Sequence, residues 1–222
     1  MDINKYKNYK IKIIENANNN KLDYLFSKIL VVGDCKVGKS SLIKKITTNK
    51  FETDYKPTKG YEFYNYMVKI DDTYIKLQVW DMCGDEKYRP ALLNLYRNAT
   101  IGILVYSIND FKSFQNLDTW INELKKKAPI NNKILLIGNK SDEDGNREVS
   151  YDDGKKICQK YNLELFMETS AKNGFQSPNF LEVAAVNIYE EHLQHGDETD
   201  TTNNNESINL GTVSGKSRFK CC

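Results

Sequence analysis

The sequence has no uninterrupted apolar stretch of the roughly 18 to 20 residues that a membrane-spanning helix needs. It also lacks a strong charge of either sign, because 32 basic and 30 acidic side chains leave a formal net charge of +2. A nearly neutral chain gives no reason to expect a nucleic-acid-binding surface. No apolar stretch follows a charged start at the Asn- and Lys-rich N-terminus, so we expect no secretory signal.

Cysteine and histidine are scarce and irregularly placed. The cysteines are Cys35, Cys83, Cys158, Cys221 and Cys222. Their spacing fits neither a zinc site nor a disulfide framework, which favours a reducing, cytosolic compartment. His192 and His195 are spaced one helical turn apart, but a solvated helix end explains them better than a metal site.

The composition changes along the chain and divides it into three parts. Residues 1–26 are polar and Asn-rich, so we expect a flexible extension, in which a helix over 9–14 would be too short to stand alone. Residues 27–195 are predicted to form one globular domain. Residues 196–222 contain almost no large apolar side chains, which predicts a disordered tail.

Within the globular part, apolar strand patterns alternate with amphipathic helical patterns. Strand patterns cover 75–79, 101–106 and 134–137, and helical patterns cover 114–128, 152–161 and 180–194. The first strand alternates apolar and polar residues and is expected to be half-exposed, whereas the other two are continuously apolar and are expected to be buried on both faces. The alternation predicts an α/β fold with a mostly parallel sheet, helices on both faces and ligand loops at the carboxyl ends of the strands.

The most informative motif is a glycine-rich loop over residues 33–40, between an apolar run and a helical run. Its glycines permit close backbone approach to a ligand, and the N–H groups of the loop and the helix N-terminus then point at an anion. Lys39 would neutralise the outer phosphates, and Ser40 would place a hydroxyl on magnesium. We predict that a nucleoside triphosphate binds here; the alternative is a turn that binds nothing. The predicted contacts are Gly33, Asp34, Cys35, Lys36, Val37, Gly38, Lys39, Ser40 and Ser41.

A second motif, Asn139-Lys140-Ser141-Asp142, directly follows a predicted buried strand and indicates guanine. Asp142 can accept hydrogen bonds from the ring N–H and the amino group of guanine, whereas adenine would leave the carboxylate unpaired. Asn139 would bond the base and brace the phosphate loop, and the stem of Lys140 would cover the face of the nucleotide. A nucleotide kinase or ATPase is the disfavoured alternative, which preferential binding of ATP would revive.

These motifs resemble the Ras-like small GTPases over nearly all of residues 28–190, and further features resemble the Rab branch. The Rab-like features are Gly33-Asp34, residues 76–80, residues 96–99, residues 113–117 with Trp120, and the terminal Cys221-Cys222. The resemblance implies a P-loop NTPase fold with a six-stranded, mostly parallel sheet. It also implies a monomeric chain that binds GTP or GDP with Mg²⁺ and hydrolyses GTP.

The resemblance assigns roles to residues outside the two motifs. Asp81 would hold the magnesium through water, and the Gly84 N–H would sense the γ-phosphate. Thr58 would give the metal its second hydroxyl, with Tyr55 in the same switch segment. Phe51 would pack against the guanine. Ser170, Ala171 and Lys172 belong to the last guanine-binding loop and are predicted nucleotide contacts. The Ala171 N–H would donate a hydrogen bond to the base oxygen.

In this family, loss of the γ-phosphate frees both switch segments, so partners that bind only the ordered switches read the nucleotide state. The resemblance implies effectors, an exchange factor, an activating protein and a prenyl-binding dissociation inhibitor as partners. Tyr61, Phe63 and Trp80 are candidates for the surface that effectors contact. Ordinary strand packing is an equal alternative for each of these side chains.

The resemblance also implies geranylgeranyl groups on Cys221 and Cys222, which would otherwise be an exposed pair of thiols. Two lipid chains anchor a protein stably, whereas one does so only marginally. Lys216, Arg218 and Lys220 would favour anionic headgroups. We therefore expect lipid anchoring at the cytoplasmic face of an intracellular or plasma membrane, with a cytosolic pool.

The predicted catalytic residues are Lys39, Thr58, Gly84 and Asp85. One of them departs from the family pattern. Asp85 stands where the family has a glutamine that orients the attacking water. A carboxylate only accepts hydrogen bonds, and its charge is expected to face the γ-phosphate oxygens. We therefore hypothesise slow intrinsic hydrolysis. The alternative function is a weakly or non-hydrolysing, GTP-bound scaffold that recruits effectors to a membrane.

Overall fold

The computed structural model describes residues 3–14, 23–54, 56–130, 133–174 and 178–198. For residues 195–198 it describes the backbone alone. The predictions for Tyr55, for the terminal Cys221 and Cys222 and for nearly all of the tail lie outside the described residues.

The described strands form one sheet, with the order β1-β3-β4-β2-β5-β6-β7. The strands are β1 (Ile11–Ile13), β2 (Tyr24–Val32), β3 (Tyr61–Ile70), β4 (Thr73–Met82), β5 (Ile101–Ser107), β6 (Ile134–Asn139) and β7 (Leu165–Glu168). All neighbouring pairs from β4 to β7 are parallel, while β3 runs antiparallel to β4 and to β1. The predicted α/β class is confirmed, but the sheet has seven strands rather than six.

Helices cover both faces of the sheet. They are α1 (Lys39–Thr48), α2 (Arg89–Leu92), α3 (Phe111–Gln115), α4 (Leu117–Lys127), α5 (Tyr151–Tyr161) and α6 (Phe180–Glu198). One apolar core lies between the sheet and helices α1 and α6, and a second lies between the other face and helices α2, α4 and α5. As predicted, β5 and most of β6 are apolar and buried on both faces, and β4 alternates buried with half-buried residues.

The helix predicted over 114–128 is divided in the structure. Helix α3 ends at Gln115 and α4 begins at Leu117, with Asn116 between them. The Asn116 side chain donates a hydrogen bond to Asp34 Oδ2 over 2.6 Å. The division therefore gives the phosphate loop a polar partner at the start of α4.

The prediction that residues 1–26 form a flexible extension is wrong for residues 3–14, and for residues 24–26, which begin β2. Residues Ile3–Asn8 form a 3-10 helix, and β1 lies within 9–14, where a helix was judged too short to stand alone. The open edge of β3 offers unpaired backbone groups, and β1 pairs with it from Ile70 to Val68. Tyr6 is only 1% exposed, and its hydroxyl lies 2.8 Å from Glu164 Oε1. A buried aromatic ring with a bonded hydroxyl fixes this segment to the domain.

Candidate functional site

A cavity of about 670 Å³ opens at the carboxyl ends of the central strands. The predicted site residues that line it are Cys35, Lys36, Gly38, Lys39, Ser40, Ser41, Phe51, Thr58, Gly84, Asp85, Asn139, Lys140, Asp142, Ala171 and Lys172. Gly33, Asp34, Val37, Asp81 and Ser170 are not part of this lining, but each contacts a residue that is. The structure thus brings the described members of the predicted site together at one end of the sheet.

The phosphate loop requires glycine where it meets its neighbours. Gly33 and Gly38 have φ angles of 139° and 96°. A Cβ atom at Gly33 would overlap the Val105 carbonyl oxygen, and one at Gly38 would overlap the Asn139 amide nitrogen. Lys36 also has a positive φ, of 63°, which is uncommon for a residue with a side chain. The loop therefore follows one tightly specified path between β2 and α1.

Lys39 is the first residue of α1, and its side chain folds back over the loop. Nζ donates to the carbonyl oxygen of Gly33 over 2.9 Å and to that of Asp34 over 2.7 Å. Lys39 is buried, and burial lowers the pKa of its ammonium, while the nearby Asp81 opposes that shift. Phosphate oxygens in the cavity would supply the negative charge that a buried ammonium needs.

Three oxygen-bearing side chains converge beside Lys39. Ser40 Oγ lies 2.5 Å from Asp81 Oδ2 and 2.9 Å from Thr58 Oγ1. Asp81 is fully buried, and its Oδ1 has no hydrogen-bond partner among the described residues. Burial raises the pKa of this carboxyl, although Ser40 and Lys39 oppose the shift.

This donor set fits magnesium, for which hydroxyls, a carboxylate and waters are suitable ligands together with substrate phosphates. The orphaned Asp81 oxygen is the atom that a hydrated cation would satisfy. The described residues contain no group of three or more His, Cys, Asp or Glu that could hold a metal by themselves. A cation here would therefore depend on the hydroxyls and on the phosphates of a ligand.

The loops on the other side of the cavity bond to one another. Asn139 Nδ2 donates to the Val37 carbonyl oxygen over 2.7 Å, so this side chain does brace the phosphate loop. Asn139 Oδ1 accepts from the Ala171 N–H over 3.3 Å. Ser170 Oγ donates to Asp142 Oδ1 over 2.5 Å, and the Asp142 side chain is only 9% exposed. The carboxylate is thus held in place, with Oδ2 4.0 Å from Lys172 Nζ.

Asp85, whose charge is expected to face the γ-phosphate oxygens, lines the cavity with that charge paired. Asp85 Oδ2 lies 2.9 Å from Lys87 Nζ, and Oδ1 accepts from the Lys87 backbone N–H over 3.1 Å. The hydrogen bonds with Lys87 lower the pKa of the Asp85 carboxyl. Lys87, which the sequence analysis missed, also lines the cavity. The only signal for it is an opposite charge two residues away in a turn.

The Asp34 side chain points away from the cavity. Its carboxylate accepts hydrogen bonds from Asn116 Nδ2 and, over 2.7 Å, from Trp120 Nε1. The Arg89 guanidinium stacks 3.6 Å from the centre of the Trp120 ring and lies 3.9 Å from Asp34 Oδ1. Asp34 therefore links the phosphate loop to α4 and α2. No sequence pattern identified this contact.

The candidate effector-binding side chains form an aromatic patch beside the site. Tyr61 and Phe63 are 44% and 55% exposed, and their ring centroids lie 5.0 and 6.0 Å from that of Trp80. Strand packing accounts for the half-buried Trp80, which also packs against one of the apolar cores. It does not account for the exposure of the other two rings.

Cys35 lies in the phosphate loop and is exposed. Cys83, which lies two residues after Asp81 in the sequence, is buried. Partial burial raises the pKa of the Cys35 thiol, although Lys39 opposes the shift. The neutral thiol is therefore the dominant form near neutral pH.

Comparisons with known proteins agree with this geometry. A family model described as "Ras family" matches residues 28–190. The Ras-related protein Rab11B of Nicotiana tabacum is 35% identical over 206 residues, covering 90% of this chain and 94% of the relative. Ras-related protein Rab-11A of Dictyostelium discoideum is 39% identical over 210 residues, with coverages of 90% and 95%. Ras-related protein RABA4c of Arabidopsis thaliana is 42% identical over 166 residues, covering 74% of each chain.

Proposed function

The chain belongs to the Ras family of small GTPases and, within it, to the Rab subfamily, and on this premise we propose that it cycles between GDP- and GTP-bound states to regulate vesicle traffic. One observation carries the proposal. Ser40 and Thr58 line the same cavity as the half-buried Asp142, and both contact Asp81, whose Oδ1 has no hydrogen-bond partner among the described residues. A metal-triphosphate end and a base-recognition end thus share one site.

Guanine recognition is assigned to the loops after β6 and β7. Ser170 holds Asp142 by one carboxylate oxygen, and the carboxylate accepts the two guanine N–H groups. The Ala171 N–H meets the base oxygen, and Lys140 and Phe51 cover the faces of the nucleotide. Tyr55 and Lys172 complete the proposed contacts.

At the phosphate end, the N–H groups of residues 33–41 bind the phosphate oxygens, and Lys39 neutralises them. Ser40 and Thr58 would hold a magnesium ion with their hydroxyls, and Asp81 would contribute its carboxylate to the same ion. When bound, the metal supplies the positive charge that stabilises phosphoryl transfer. The Gly84 N–H senses the γ-phosphate. Intrinsic hydrolysis is slow, because the Asp85 side chain is paired with Lys87 and has no N–H with which to orient a water.

The same Asp85–Lys87 pair favours a second candidate function. A chain that binds GTP but scarcely hydrolyses it would remain in the effector-binding state and act as a scaffold. For both functions we propose that Cys221 and Cys222 carry two prenyl groups. We also propose that the chain is monomeric and binds the cytoplasmic face of a membrane, with a cytosolic pool. Its proposed partners are effectors, an exchange factor, an activating protein and a prenyl-binding dissociation inhibitor.

The test is to purify the chain from cells and to measure the ratio of bound GTP to GDP. Mostly GDP supports the cycling switch, and mostly GTP supports the scaffold. Displacement by ATP as readily as by GTP, or retention of nucleotide unaffected by a magnesium chelator, would contradict the proposed site.

A further inference from the structure

The sheet face that packs against α2, α4 and α5 near the cavity carries rows of lysine and aromatic side chains at the end remote from the cavity. Registered residues of neighbouring strands share a face, since side chains alternate along each strand. The rows on this face, from the remote end towards the cavity, are Lys12-Lys69-Tyr74-Tyr24, Met67-Lys76-Phe26, Asn65-Gln78-Lys28 and Phe63-Trp80-Leu30. We call Lys12, Lys28, Lys69 and Lys76, with Tyr24, Phe26 and Tyr74, the lysine face.

No carboxylate stands at any position of these rows. Asp72, in the β3–β4 turn, is an acidic side chain that contacts them, with Oδ1 3.0 Å from Lys69 Nζ. Glu62 belongs to the opposite face, where it accepts a hydrogen bond from Tyr64. The lysine face is therefore strongly cationic, although the whole chain is nearly neutral. The folded N-terminal segment adds to it by contributing Lys12 through β1.

The lysines lie across the face rather than away from it. Lys76 Nζ is 5.3 Å from the centre of the Tyr24 ring, and Lys69 Nζ is 5.4 Å from that of Tyr74. Such cation–π contacts restrain a flexible ammonium and so lower the entropy cost of using it in binding. Phe26, in the middle row, is 46% exposed, and neither apolar core of the described residues includes it.

We propose that the lysine face binds an anionic lipid surface. Cations attract anionic headgroups, and tyrosine, phenylalanine and the stems of lysines suit the headgroup region of a bilayer. Charge complementarity over an open sheet face, rather than a groove, favours a lipid surface over a single acidic helix. The proposal concerns the folded domain and does not require the lipid groups proposed for Cys221 and Cys222.

The test uses the full chain without lipid groups, sedimented with vesicles of phosphatidylcholine alone or with added phosphatidylserine. The parent binds the anionic vesicles preferentially, and binding weakens as salt is added. The triple variant Lys12→Gln, Lys69→Gln, Lys76→Gln loses binding on the order of 100-fold, since each lysine near an anionic surface contributes several-fold. Phe26→Ala weakens binding less and leaves its salt dependence unchanged.

The matched control is Lys112→Gln, Lys126→Gln, Lys155→Gln, which removes the same charge from exposed helical positions elsewhere. Binding equal to the parent in this control supports the lysine face. Equal losses in both triple variants would reduce the effect to net charge, and undiminished binding in the first variant would place it in the tail. Either result overturns the proposal. A parent chain that does not bind anionic vesicles would also overturn it, and an acidic protein would then be the remaining candidate partner of the lysine face. GTP affinity is unchanged in all variants, which separates this test from that of the nucleotide site.

Discussion

The two sides of the cavity differ in how firmly their key groups are held. On the guanine side, Asn139 and Asp142 are bonded by the phosphate loop, Ser170 and Ala171, and both side chains are almost inaccessible. On the switch side, the Asp85 side chain is 34% exposed, and among the described residues it bonds only to Lys87 in the same turn. Groups that are bonded before a ligand arrives favour tight binding, because little entropy is lost on binding. The structure thus contrasts a firmly held side, to which we assign selection of the nucleotide, with a loosely held side, to which we assign its turnover.

Asp142→Asn tests the guanine side and has the largest expected effect. The amide replaces an acceptor with a donor and faces the guanine N–H groups with the wrong polarity. GTP affinity should fall by roughly 100- to 1,000-fold, as measured by competition with a fluorescent nucleotide. Xanthosine triphosphate, which offers a carbonyl in place of the amino group, should bind the variant better than the parent.

The exposed Asp152 on α5 provides the matched control, because Asp152→Asn makes the same change away from the cavity. GTP affinity should be unaffected there. Equal GTP affinity of Asp142→Asn and the parent would contradict the role in guanine recognition that we assign to Asp142.

Asp81→Asn tests the boundary between the two sides. If this carboxylate holds the magnesium through water, the substitution should lower magnesium affinity by roughly 10- to 100-fold, measured by titrating nucleotide release against free Mg²⁺. Without metal and nucleotide, the variant should unfold at a higher temperature than the parent, since it no longer buries an unpaired carboxylate oxygen.

The pH dependence of the parent should follow from the same group. Burial raises the pKa of Asp81 above the value in the unfolded chain, so the folded metal-free protein binds this proton more tightly. The contribution of Asp81 to stability therefore falls as the pH rises above the ordinary carboxyl pKa, and saturating Mg²⁺ should remove that decline. A metal-free stability profile identical in Asp81→Asn and the parent would contradict the assignment.

The sequence predicted residues whose type a bound anion or base would restrict. It did not predict contacts that depend on packing between distant parts of the chain. The glycines, Lys39 and Asp142 could be predicted because an anion or a base restricts the residue type at each position. The three-residue strand β1 could not, because its stability comes from the edge of β3 and from the burial of Tyr6 against a distant helix. The Asp34–Arg89–Trp120 contact was missed for the same reason: its partners are far apart in the sequence.

Asp85→Gln tests the switch side. A glutamine amide can donate as well as accept and would not pair with Lys87, so it could orient a water. Intrinsic single-turnover GTP hydrolysis should accelerate roughly tenfold, which corresponds to about 1.4 kcal/mol of barrier. The adjacent Glu86→Gln, which removes an exposed charge without touching the cavity lining, should leave the rate unchanged. No acceleration in Asp85→Gln would mean that the turn, and not its residue type, limits hydrolysis.

Lys87→Gln sharpens the same comparison with the smallest expected effect. The substitution leaves the Asp85 carboxylate uncompensated beside the proposed position of the γ-phosphate, which should weaken GTP binding more than GDP binding. Because the ion pair is exposed and screened, the difference should be only about two- to fivefold. The control is the double variant with Asp85→Gln, in which Lys87→Gln should have no further effect, since its partner charge is gone. An equal loss of GTP affinity in both backgrounds would mean that Lys87 acts on the nucleotide by itself. The switch side would then contain a second phosphate-binding cation rather than a neutralised aspartate.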